Sequence, residues 1–154
     1  MALLSKINNT VITSINDIRP IGILSNLWKM TEKTIKTTLD TKYPNFLKTG
    51  DEQSGFKPGR STVDFATLAL MRTQTNPDTR LTIFIDLKAA YDNVKHSKLM
   101  QILYERADKL YPDDRLLRSI IDTIRYSYET ATMAVANYSF LCEKGVTQGS
   151  VLSP

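Results

Sequence analysis

Apolar residues fall at helical spacing through much of this chain. Leu24, Leu27, Trp28, Thr31, Ile35 and Leu39 place one apolar face on a predicted helix over about residues 24–40. The next stretch, from Tyr43-Pro44 through Gly50, Gly55, Pro58 and Gly59, is broken by turn formers and predicts a loop. Ser61 followed by Asp64 has the form of a capping box, opening a helix through Phe65, Leu68 and Ala69 that ends before Pro77. The run Arg80–Asp86 (RLTIFID) is β-branched and aromatic and predicts a short strand ending on a carboxylate. Two more helices are predicted, around Ser97–Lys109 and about Pro112–Glu129, the second with an apolar stripe of Leu116, Leu117, Ile120, Ile121, Ile124 and Tyr128. Asp113-Asp114 marks its start, where carboxylates favour the helix dipole. The alternating residues 131–136 and the run near Phe140-Leu141 predict a hairpin around Asn137-Tyr138. Helices and a few strands in this order give a mixed α+β class, with no internal repeat or low-complexity tract.

Composition narrows the chemistry more than the fold. The 154 residues are 42% hydrophobic, enough for one core. A single cysteine, Cys142, excludes an internal disulfide and a cysteine-based zinc site, and one histidine, His96, excludes a histidine cluster. Any metal must be held by carboxylates. No run approaches the roughly 18 apolar residues of a membrane span, and no signal peptide opens the chain. An intracellular protein with no membrane partner is the expectation. The net charge of +4 is uneven: residues 1–60 hold nine basic and five acidic side chains, and the remainder is balanced. That places a phosphate-facing surface, or a plain solvated basic face, near the N-terminus.

A carboxylate at the end of a buried strand is costly to desolvate unless a cation or donors compensate it, so Asp86 is either a metal ligand or a turn or helix cap. Its surroundings, Phe84-Ile85-Asp86-Leu87-Lys88-Ala89-Ala90-Tyr91-Asp92-Asn93-Val94, resemble the first catalytic motif of reverse transcriptases of the non-LTR retrotransposon and group II intron type. Arg19-Pro20-Ile21 with Ser25 and Lys29 resembles their first fingers motif. Gln53-Ser54-Gly55-Phe56-Lys57-Pro58-Gly59-Arg60-Ser61-Thr62 resembles the second, and Gly145–Pro154 (GVTQGSVLSP) resembles the palm motif with a Gln-Gly pair. The four blocks occur in the family's order over residues 19–154.

The resemblance implies a right-hand polymerase: fingers over 1–78, and over 79–154 a partial palm with an antiparallel sheet and packed helices. It implies RNA template, DNA primer and dNTP as partners, and two Mg2+ ions, or Mn2+, as cofactor. Asp86 is then the catalytic metal ligand with the carbonyl of Leu87 beside it. Arg19 clamps the triphosphate, its fork matching phosphate oxygens. Tyr91 is the steric gate, a flat ring that leaves room for hydrogen but not for a hydroxyl on the sugar. As a residue alone it also fits a half-buried packing aromatic. Asp92 is expected to be a local cap or salt-bridge partner. Gln148 orients the nucleotide sugar or the template base pair through its amide, and Gly149 leaves space for them. Phe56 either packs under the template base or anchors its loop, the latter being favoured, and Lys57 and Arg60 either contact template phosphates or form structural salt bridges.

Two-metal phosphoryl transfer needs several carboxylates, and the family supplies two from an Asp-Asp hairpin downstream of the Gln-Gly motif. The chain ends at Pro154 before such a hairpin and before a thumb. It is therefore expected to be a fragment of a longer polyprotein, favoured over a degenerate element copy, and to be inactive by itself and marginally stable. A non-catalytic RNA-binding module and an intron maturase fragment are the alternatives.

Overall fold

Ser25 opens the first long helix because its backbone is extended and its hydroxyl accepts from the Trp28 amide at 3.2 Å, satisfying a donor the helix itself cannot. The computed structural model describes residues 2–5, 18–75, 81, 83–135 and 137–154. Its elements in chain order are β1 (Ala2–Ser5), β2 (Ile18–Ile21), α1 (Asn26–Lys42), α2 (Thr62–Thr75), a 3-10 turn (Tyr91–Asn93), α3 (His96–Leu110), α4 (Arg115–Glu129), β3 (Thr132–Val135) and β4 (Tyr138–Leu141). The chain divides into two compact units, Met1–Leu47 with Ala89–Pro154, and Lys48–Lys88.

The first unit holds the core. Ile35 and Leu39 of α1, Met100 and Ala107 of α3, and Leu117, Ile120, Ile121 and Ile124 of α4 form one buried cluster. The helical periods in the sequence predict the α1 and α4 faces, with three differences, one being Leu116, which the predicted stripe included and which is 45% exposed. Leu27 is 77% exposed, and in its place Glu32 turns inward. Tyr43 and Phe46, expected in a loop, are buried: the Phe46 amide bonds the Tyr43 carbonyl at 2.8 Å, and this turn closes the core below α1. Tyr43 meets Tyr111 edge to face, with centroids 5.1 Å apart.

Asp114 caps α4 by accepting from the Leu117 amide at 2.9 Å, and it also accepts from the Tyr43 hydroxyl at 2.9 Å. These two bonds, the amide's first, hold its carboxyl below the usual carboxylate range. Burial, and then the bond to this carboxylate, pushes the Tyr43 hydroxyl from 10.0 up to about 12. A folded-state value above the unfolded one means that the contribution is complete below about pH 10 and is lost as pH rises through about 12. Thermal melts between pH 9 and 12 should therefore show a steeper alkaline loss for the native chain than for Tyr43→Phe. Equal slopes would remove Tyr43 from the alkaline transition.

The strands among the described residues are two separate antiparallel pairs. β1 pairs with β2 from Ala2↔Ile21 to Ser5↔Ile18, and β3 with β4 from Thr132↔Leu141 to Val135↔Tyr138. The second is the predicted hairpin, with Tyr138 inside β4 instead of in the turn. The first was not predicted. The mixed α+β class holds, with small two-stranded sheets.

In the second unit the capping box forms as expected. The Ser61 amide donates to Asp64 Oδ2 at 2.8 Å, and the Asp64 amide to Ser61 Oγ at 3.1 Å, which starts α2. The strand expected at 80–86 does not form among its described residues, 81 and 83–86. A β-run gains its stability from a paired ladder and a covered face. No described strand pairs with this one, and Ile83, Phe84 and Ile85 are 70%, 87% and 86% exposed. The buried-strand setting inferred for Asp86 is thereby corrected: Asp86 lies in exposed, non-strand backbone.

Candidate nucleotide site

Glycine at 145 lets two distant loops touch. Its φ of +88° belongs to the left-handed region, and a Cβ there would stand 3.2 Å from the Asp92 Cα and carbonyl oxygen and 3.3 Å from the Tyr91 carbonyl. Around it the Gly145 amide donates to the Val94 carbonyl at 2.8 Å and the Val146 amide to the Tyr91 carbonyl at 2.9 Å. His96 Nε2 donates to the Gly145 carbonyl at 2.6 Å while its ring stacks, tilted, on Tyr128 with centroids 4.8 Å apart. Gly145→Ala should cost about 1–3 kcal/mol, from strained φ and backbone crowding. A melting temperature lower by about 2–4 °C per kcal/mol would register it.

From this junction the chain runs to Gln148-Gly149, which meets the segment after β2. The Gly22 amide donates to the Gln148 carbonyl at 2.9 Å. Gly149, at φ +104°, would press a Cβ to 3.2 Å from the Gly22 carbonyl oxygen. Beyond it, Ser150 Oγ and the Val151 amide donate to the Glu32 carboxylate at 2.6 and 3.0 Å. Three sequence blocks predicted to be functional thus converge within the first unit: the segment after Arg19-Pro20-Ile21, the one beginning at Tyr91, and the Gln-Gly loop. Arg19 lies on β2, and Tyr91 is partly buried and opens the 3-10 turn.

Glu32 and His96 have no counterpart in the expectations. Both stand on helices at positions that give no motif signal. The one hint was a glutamate falling on the apolar face of α1, between Thr31 and Ile35. Glu32 also accepts from Trp28 Nε1 at 3.0 Å. The Tyr128 hydroxyl is raised, first by burial and also by the negative charge of Glu32, with Ser153 acting in the opposite sense. Beside these groups lies a cavity of about 380 Å3, bordered by Trp28, Tyr128, Met133, Cys142 and Leu152 among others.

The remaining predicted residues belong to the second unit. Lys57 Nζ donates to the Gly50 carbonyl at 2.6 Å, closing its own loop. The salt bridge considered for it is thus a hydrogen bond to backbone. Arg60 is exposed. Phe56 is 73% exposed with φ 59°, so the anchoring favoured for it is corrected: the ring packs into no core and its loop is tied instead by Lys57. Asp86 and Leu87 are exposed. Asp86 and the Leu87 carbonyl are hard oxygen donors of the kind Mg2+ takes. They do not make up a two-ion clamp: among the described residues no three His, Cys, Asp or Glu side chains come together.

The family model for reverse transcriptase (RNA-dependent DNA polymerase) matches residues 7–154. The chain belongs to the reverse transcriptase family. A probable RNA-directed DNA polymerase from transposon BS of Drosophila melanogaster is 30% identical over 143 residues, covering 88% of this chain and 15% of that protein. The chain spans only that small part of its relative's length. No solved structure matches it. Neither comparison favours the RNA-binding-module or maturase alternatives. No described helix is long and apolar enough to cross a membrane.

Proposed function

We propose that this reverse transcriptase chain supplies fingers, 1–78, and part of the palm, 79–154, of a right-hand polymerase that copies an RNA template into DNA from a DNA primer and dNTPs. The observation that carries this reading is the convergence of three motif blocks on one loop, with Gly22 bonded to Gln148 and Tyr91 to Val146. Sequence-distant residues that meet through backbone hydrogen bonds and glycine contacts make a preorganised surface, which is what nucleotide selection requires.

In this reading Gln148 orients the nucleotide, Gly149 keeps the floor of its pocket low, and Arg19 holds the triphosphate. Tyr91 excludes the ribose hydroxyl. Phe56, Lys57 and Arg60 line the template path, the exposed ring of Phe56 being free to stack on a base. Asp86 and the Leu87 carbonyl face the divalent metal, whose chemistry is charge neutralisation at the reacting phosphates.

The test is primer extension on an RNA template by the polypeptide expressed from the whole reading frame. Native protein should incorporate dNTPs and discriminate against rNTPs. Tyr91→Val should keep dNTP incorporation and relax that discrimination by about 10–100-fold. Unchanged discrimination would remove the gate from Tyr91, and absence of any extension by the native protein would remove the polymerase reading.

A further inference from the structure

We infer that Glu32 is a positioning residue for the Gln148-Gly149 loop, an inference that rests on the nucleotide-site reading above. Glu32 is 4% exposed and is the one charged side chain among the buried described residues. A buried carboxylate is costly unless donors or a cation satisfy it. Here no cation is within salt-bridge distance among the described residues, and the compensation comes from three donors: Trp28 Nε1, Ser150 Oγ and the Val151 amide. Two of the three belong to the pair of residues that directly follows Gln148-Gly149, 118 and 119 positions away in sequence.

The arrangement is a two-point suspension. On the upstream side the Gln148 carbonyl is held by the Gly22 amide. On the downstream side Ser150 and Val151 are held by Glu32, and Ser150 Oγ in turn accepts from the Leu152 amide at 3.2 Å. Between the anchors the loop closes on itself through the Ser150 amide and the Thr147 carbonyl at 3.1 Å. Gly22 directly follows β2 and Glu32 stands within α1, so both anchors come from the stretch 22–32. The direction of the Gln148 side chain is therefore set from that stretch, and charge-assisted bonds to Glu32 fix it more tightly than neutral ones would. Trp28, one helical turn before Glu32, holds the carboxylate oriented. An apolar residue at position 32 would fill the space equally well and leave the loop unanchored on one side.

The experiment uses the polypeptide from the whole reading frame with an oligo(dT) primer on a poly(rA) template. Glu32→Gln keeps the side-chain shape and at least one oxygen acceptor, and Ser150→Ala removes the hydroxyl alone. In each, kcat/KM for dTTP should fall roughly 10–100-fold, largely through KM, with primer–template affinity unchanged. The double variant should be little worse than either single one, because both break the same link. A merely structural role would lower the active fraction, which changes apparent kcat and leaves KM alone. Native extension with an unmoved KM in both variants, or with effects that multiply in the double variant, would overturn the positioning role and leave the polymerase reading standing. Absence of native extension would overturn both.

Discussion

Asp86→Asn, in the polypeptide from the whole reading frame, should cut primer extension by about 10³-fold or more, equal to about 4 kcal/mol in the barrier. The substitution keeps the shape of the side chain and removes its charge, which is the property that a hard cation at a reacting phosphate needs. Asp86 is exposed in non-strand backbone and makes no hydrogen bond or ion pair to another described residue. Its loss should accordingly leave stability within about 0.5 kcal/mol. Loss of activity with an unchanged melt therefore separates a chemical role from a structural one. A variant that extends primers at the native rate would place the reacting centre elsewhere.

Leu117→Ala has the opposite signature. Leu117 is wholly buried, 0% exposed, in the cluster where α4 meets α1 and α3, and its amide is the donor that Asp114 caps. Truncation removes buried methyl groups and leaves a cavity, at a cost of about 2–5 kcal/mol. Against a total of about 5–15 kcal/mol for an ordinary domain this is a large fraction. Chemical denaturation of the 154-residue chain should show a lower midpoint with an unchanged slope. Leu116→Ala is the control: its side chain is 45% exposed, so a change under about 1 kcal/mol is expected. Equal losses at both positions would mean that the helix packs through a different face.

Much of the helical framework was legible in the sequence because its signals are local. The 3.6-residue period of Leu117, Ile120, Ile121 and Ile124, the capping box of Ser61 and Asp64 and the cap at Asp114 all act within a turn or two. What was not legible depends on partners far away in the chain. The run at 81–86 has β character, yet a strand exists only by pairing, and the described residues offer it no ladder. Tyr43 and Phe46 look like loop residues beside Pro44, but a turn returning to the core buried them. Of the candidate site, the family resemblance gave the Gln-Gly loop and Tyr91. Glu32 showed only as a glutamate on an apolar face, since its role is defined by Ser150 and Val151, and a single glutamate on a helix carries no motif. His96 was noticed only as too solitary for a metal cluster. Its bond to the Gly145 carbonyl is a matter of tertiary approach.

The bonds from Ser150 and Val151 to Glu32 span 118 and 119 positions. Contacts of such separation carry a loop-closure cost that local ones escape, and the α3–α4 pair can form before them. During synthesis the helices are complete in the chain before the Gln-Gly loop has been added. The anchor on Glu32 therefore closes last, so that a chain interrupted before Ser150 keeps its helices and lacks this bond.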